Sequence, residues 1–256
     1  MPRALPPFNG TRVRYGQGEV AIREDQLLPQ FASISFLAKL TKELAMPRPA
    51  AQAALDASQF ISSVTNEFYT LAACLTVAAD PMAKSLIPQV LPGHIVPIGT
   101  VARRDGGQHA YHFTHYLDLL RTDVNLVPSF ERHWATGTLI SVGDELANHK
   151  YFDHAPELEL VYHLRNGVAH GNVFTFTRHG LERLAKHPAN NEFSWGRGDA
   201  TVLSITPGLK GKSVVPDFLG PGDAIEILTS AGLYLHRYGN GDTLRPDGTV
   251  TQASEQ

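Results

Sequence analysis

Apolar positions recur at helical spacing over most of this chain and give way to short extended runs near its end. Glu24–Ala45 carries Leu27, Leu28, Phe31, Ile34, Leu37, Leu40 and Leu44, an amphipathic helix stopped at Met46-Pro47. Pro49–Ala79, with Phe60, Ile61, Val64, Phe68, Leu71 and Leu75, predicts a long buried helix, and Pro81 opens a further short one. Glu67 reads as a surface-facing acid on it. Val90–Gly107 is rich in Pro and Gly and predicts a loop. Gln108–Arg121 and Pro128–Phe152 predict two more helices, the second with Phe130, Trp134, Leu139, Val142 and Leu146 toward the core and with Gly137 and Gly143 weakening it. Asp153–Pro156 is a turn.

Leu158, Val161, Leu164 and Val168 then place one buried face on a helix within Glu157–Phe176. Beyond it, Asn172–Thr177, Glu192–Trp195, Thr201–Ile205 and Val214–Val215 are short extended runs that predict a small β-meander or paired strands. Pro221–Tyr238 is a final helix with Asp223 in its first turn. The pattern divides the chain into an irregular arm over 1–19, a helical domain over 20–180, short strands and a C-terminal helix over 181–238, and a flexible tail over 239–256. Arg3, Arg12 and Arg14 give the arm an alternative role in touching phosphate.

Composition narrows this picture. A hydrophobic share of 43% with 18% charged residues belongs to a globular protein, and a net charge of −3 supplies no global basic field for nucleic acid. Any nucleic-acid site must therefore concentrate its cations locally. The single Cys74 stands among Leu71, Leu75 and Val77 and predicts a small buried side chain in a reducing compartment. No apolar run approaches the ~20 residues of a membrane span, and Met1–Gly18 lacks the apolar centre of a signal peptide. A soluble, cytoplasmic protein with no membrane contact is expected.

Chemistry concentrates at the end of the central helix. Arg165 lies at the edge of a buried face, where an unpaired guanidinium is costly and demands a partner. Arg165-Asn166-x-x-x-His170, inside Leu164-Arg165-Asn166-Gly167-Val168-Ala169-His170-Gly171, resembles the R-x4-6-H signature of the HEPN superfamily. The resemblance implies a HEPN-like helical bundle, here with a small β-containing elaboration, and a homodimer that brings two motifs into one cleft. It also implies metal-independent endoribonuclease activity in phage defence or a toxin–antitoxin setting, with an antitoxin or regulatory protein as a possible partner. Arg165 would stabilise phosphate, His170 would move protons and Asn166 would position the phosphate or the histidine ring. No cofactor or metal is implied. A non-catalytic HEPN-like module that binds RNA, nucleotide or a protein partner is the alternative, and a site-free helical scaffold is a third.

Residue geometry alone leaves this open. Arg165 and His170 stand roughly 140° apart on a straight helix, so they converge only if the helix ends or bends near Gly167 or a second copy faces the first. The bland reading has Arg165 capping carbonyls and His170 at a helix C-terminus before Gly171. One departure from the family is clear. Some HEPN toxins carry a modifiable Tyr two residues after the histidine, where this chain has Asn172.

Other motifs are weaker. His109, His112 and His115, followed by Asp118, drift around a helix and predict a solvated or partly buried histidine face. Gly208–Ser213 imitates a phosphate loop, but Thr206 stands where its first Gly belongs and no helix follows. Gly196–Asp199 reads as a loop.

Overall fold

Helices carry the fold from residue 48 onward. The computed structural model describes residues 12–15, 18–21, 48–87, 90, 93, 97–195 and 201–242. Its contacts divide the chain into two units, Met1–Ala45 and Met46–Gln256.

In the first unit, β1 (Arg12–Tyr15) and β2 (Gly18–Ala21) pair antiparallel, Arg12 opposite Ala21. Within the arm expected to be irregular over 1–19, the described residues pair instead, with Val13 opposite Val20. The helix expected over Glu24–Ala45 and the position of Arg3 lie outside the described residues, as do residues 196–199.

The second unit is mainly helical. Its longest element, α1 (Arg48–Ala79), has 32 residues and spans about 48 Å at about 1.5 Å per residue. Ala54, Ala57, Ser58, Ile61, Thr65 and Phe68 fall at helical spacing and are buried. They pack chiefly against α6, the final helix (Pro221–Gly239). Small residues let the two backbones come close. A Cβ on Gly239 would stand 2.8 Å from the Ala51 carbonyl oxygen and 2.7 Å from Leu55 Cγ, and the Ser58 hydroxyl donates to the Gly232 carbonyl at 2.8 Å. Gly239 thus belongs to this packed helix rather than to a tail, and residues 243–256 lie outside the described residues.

The long helix is not buried throughout. α6 is shorter, with 19 residues, so α1 outruns it, and Tyr69, Leu71 and Val77 are exposed. Cys74 is exposed as well, which corrects the expected buried thiol. Phe113 and Leu117 line the same hollow as Cys74 and Val77, so the helix that carries them flanks this end of α1 without burying it. Arg121 closes the far end of α1, donating to the carbonyls of Ala78 and Asp80.

A hairpin follows in place of the expected loop and helix. β3 (Ile98–Ala102) pairs antiparallel with β4 (Gln108–His112), and α2 begins only at Phe113 (Phe113–Thr122). Asp105-Gly106 sits at the tip, a turn-forming dipeptide between the two strands. There the Gly107 N–H donates to Asp105 Oδ1 at 3.0 Å. His109, His112 and His115 are exposed, and no group of three or more His, Cys, Asp or Glu side chains able to hold a metal ion occurs among the described residues.

α3 (Leu126–Asn148) and α4 (Pro156–Ala169) form the centre with α6. α3 starts and stops a few residues earlier than its apolar pattern implies. The segment after it is a turn in which Lys150, Tyr151, Phe152 and His154 all have positive φ, at 52°, 59°, 51° and 60°. Side chains hold that costly backbone in place. The buried Tyr151 donates its hydroxyl to the Gly143 carbonyl at 2.9 Å, and Tyr234 donates to Asp153. Burial also pushes the Tyr151 hydroxyl well above its usual range, although the charges of Arg165 and Arg183 pull it down.

The expected β-meander is absent among the described residues. Val173 pairs with Ser213 and Asn190 with Ser204 as isolated bridges, and residues 192–193 form a turn. Each run is too short to propagate a ladder, and asparagine side chains take over its hydrogen bonding. Asn172 Oδ1 accepts from the Val215 N–H and Nδ2 donates to the Val215 carbonyl, while Asn191 Oδ1 accepts from the Leu203 N–H. Between the two bridges, α5 (Arg178–Lys186) is capped by Thr177, whose hydroxyl accepts from the Gly180 N–H. No helix among the described residues is long and apolar enough to cross a membrane.

Candidate functional site

α4 is wrapped on more than the one face its apolar spacing implies. Leu158, Leu160, Val161, Leu164 and Val168 are buried, and so are Glu157, Glu159 and His163. Arg165 and Asn166 form the partly open strip near its C-terminal end.

The Arg165 partner is Asp144 on α3. Nε and Nη2 both donate to Asp144 Oδ1, at 2.9 and 2.6 Å, and Nη1 donates to Asn166 Oδ1 at 3.1 Å. The guanidinium carries donors beyond those three bonds. Its stem has a fixed bed. A Cβ on Gly143 would stand 2.4 Å from Arg165 Cγ and 2.6 Å from its Cβ, so the glycine opens the space through which Arg165 crosses α3. Tyr151, bonded to the Gly143 carbonyl, fixes that same backbone position. The glycine that weakens the helix in sequence is therefore required by the packing. Gly143→Ala is expected to displace Arg165 and cost about 1–3 kcal/mol, as overpacking does; denaturant unfolding measures the loss, and an unchanged midpoint would mean that the stem is not confined.

His170 lies at the helix end. α4 continues through Gly167 and stops at Ala169; His170 is its C-cap, at φ −102° and ψ 43°, with its N–H donating to the Asn166 carbonyl at 3.1 Å. Gly171 follows at φ +86°, and the Asn172 N–H returns to the Val168 carbonyl. The side chain of His170 is exposed. No hydrogen bond joins its ring to Arg165 or Asn166 among the described residues. The chain thus brings Arg165 and Asn166 together directly and leaves His170 just beyond them. Half of the bland reading describes the same termination: His170 and Gly171 do end the helix, but Arg165 pairs with a carboxylate and caps nothing. Asn172, where some HEPN toxins have a modifiable tyrosine, is spent on holding residue 215.

A second polar group lies deeper on α4. Glu159 is fully buried, and Arg183 of α5 grips it with two bonds, Nε to Oε2 at 2.7 Å and Nη2 to Oε1 at 2.6 Å. His154 Nδ1 lies 2.7 Å from Oε1, and the His154 ring stacks on His187 with centroids 4.3 Å apart. Arg183 also covers the Tyr162 ring, its guanidinium carbon 3.9 Å from the centroid. Burial works against the charge of Arg183, yet its hydrogen bonds to Glu159 and the carboxylate charge outweigh this and raise it. His163 is buried with no hydrogen-bond partner for Nε2 among the described residues, and burial pulls it down to about 4.

The edge of a buried face requires a partner for Arg165, but the spacing of residues along the chain does not single out Asp144. The Gly143-Asp144 step was the available signal, since a small residue beside a carboxylate can admit and pair an arginine from a crossing helix. Several acids in the neighbouring segments met the charge requirement equally well. Compared with models of protein families, with curated proteins and with solved structures, the chain matches none.

Proposed function

We propose that this chain is a HEPN-type, metal-independent endoribonuclease acting as a homodimer. The observation that carries the reading is the Arg165 guanidinium, fixed by Asp144 and Asn166 at the helix end where the exposed His170 stands. RNA supplies its own nucleophile. A histidine that takes the proton from the 2′-OH lets that oxygen attack phosphorus, and the P–O5′ bond breaks as the 5′-oxygen leaves with a proton. The products are a 2′,3′-cyclic phosphate and a 5′-OH. Arg165 offers planar donors to the phosphoryl oxygens as charge develops on them, and Asn166 orients Arg165. Five positions on a helix turn His170 roughly 140° away from Arg165, and the homodimer that the HEPN resemblance implies would set a second copy of the motif in the same cleft. Phage defence or a toxin–antitoxin pair, with an antitoxin as regulator, is the biological setting that fits such an activity.

The bond between Arg165 and Asp144 favours a second reading, a non-catalytic module binding RNA, nucleotide or a protein partner, because the carboxylate already offsets the charge of Arg165. Incubating the purified protein with a mixed RNA pool in EDTA, beside Arg165→Ala/His170→Ala, separates the two. Cleavage with cyclic ends that the double variant loses is the expected result. No cleavage by folded wild type moves the protein to the binding reading, and equal cleavage by both overturns the site.

A further inference from the structure

The pairing of Arg165 has a feature that orientation alone does not require. Two donors, Nε and Nη2, converge on one oxygen of Asp144. That edge of a guanidinium is one that grips a phosphate. Asp144 therefore stands in the position of a phosphoryl oxygen, as an anion that the chain supplies to itself. The pair is open to competition: the side chains are 30% exposed for Arg165 and 54% exposed for Asp144. Meanwhile the stem of Arg165 is confined on Gly143 and its Nη1 is tied to Asn166. The guanidinium can exchange one anion for another without moving its stem. Gly143 and Asp144 are consecutive, so one step of α3 makes the bed for the arginine and supplies its anion.

We propose that Asp144 is a positioning residue that acts as an internal competitor for RNA phosphodiester, fixing the guanidinium and holding its affinity for phosphate low. This rests on the reading of Arg165 as the phosphate-binding group. Binding of RNA then exchanges the carboxylate for a phosphodiester oxygen, with no covalent step. The arrangement suits a site that must not collect every polyanion it meets, because only a phosphate held by further contacts displaces a carboxylate that is always present.

The test measures binding of a 2′-O-methylated RNA oligonucleotide, which lacks the attacking hydroxyl, to the full chain across a salt series. Asp144→Asn keeps an acceptor oxygen for Arg165 and removes the competing charge. It is expected to bind roughly threefold tighter or more, with a log–log salt slope steeper by about 0.7, the increment for one further phosphate neutralised on a single strand. Asp144→Ala is expected to bind more tightly too, but to cleave unmodified RNA more slowly than Asp144→Asn, since Asn166 alone then aims the guanidinium. Thermal unfolding of both variants checks that they remain folded; if either does not, Asp144→Glu, which restores the charge at a longer reach, is expected to return the wild-type slope. Unchanged or weaker binding by folded Asp144→Asn, with Arg165→Ala still abolishing binding, overturns the competitor role and leaves the site standing. Binding unaffected by Arg165→Ala overturns the site itself.

Discussion

Arg183→Ala is expected to lower folding stability by about 3–5 kcal/mol, the cost of leaving a buried carboxylate without its cation. Glu159 has no exposed surface and takes two hydrogen bonds from Arg183. Removing the guanidinium strands that charge on the central helix, with the His154 ring as its neighbour. The loss extends beyond charge. Arg183 lies over the Tyr162 ring and 5.1 Å from the centroid of Tyr151, and Tyr151 anchors the Gly143 backbone beneath Arg165. Arg183→Lys keeps the charge but loses the planar fork and the stacking, so it should recover only part of the stability. Denaturant unfolding of the three proteins measures this, and a loss below about 1 kcal/mol for the alanine variant would show that Glu159 is not desolvated as its burial implies. Replacing both partners by apolar residues should cost far less than removing one, because an ion pair of this kind mainly avoids a penalty.

Acid is expected to unfold the protein through His163. Burial is the main cause of its lowered pKa; the Glu159 charge acts against the shift and the Arg183 charge with it. With a folded value of about 4 and an unfolded value near 6.5, the unfolded chain binds a proton first as pH falls. This stability is therefore complete above about pH 6.5 and is lost as pH drops through about 4, by about 3 kcal/mol in all at about 1.36 kcal/mol per pH unit. His187 is also pulled down, by burial and then by His154, and acts in the same direction. His163→Leu should flatten this part of the curve whatever it does to stability at neutral pH. An equally steep fall between pH 6.5 and 4 in that variant would assign the acid sensitivity to other groups.

Much of the helical framework was legible in the residues. Pro156 opens α4, Gly171 follows its end and Pro221 opens α6, because proline and glycine act through the backbone of their own neighbourhood. The spacing of Leu158, Val161, Leu164 and Val168 marked a buried face in the same way. Local signals also misled. Gln108–His112 carries apolar residues compatible with a helix, yet the Asp105-Gly106 turn pairs it with Ile98–Ala102, and a cross-strand partner is invisible to a periodicity confined to one segment. Asn172 and Asn191 replace the ladders that the short extended runs would need, and their partners lie distant in the chain.

By itself the sequence determined a mainly helical chain, the position of the R-x4-6-H motif near a helix end, and the demand that Arg165 be paired. Tertiary structure decided the rest. Periodicity states which face of a helix is apolar, but not which neighbours cover it. Hence Cys74 is exposed where α1 outruns α6, while Glu159 and His163 are buried where α4 is enclosed. The partner of Arg165 was likewise a matter of where helices cross. The absence of one side chain at Gly143 lets α4 lay its arginine across α3, and the next residue on that helix, Asp144, is the carboxylate it meets.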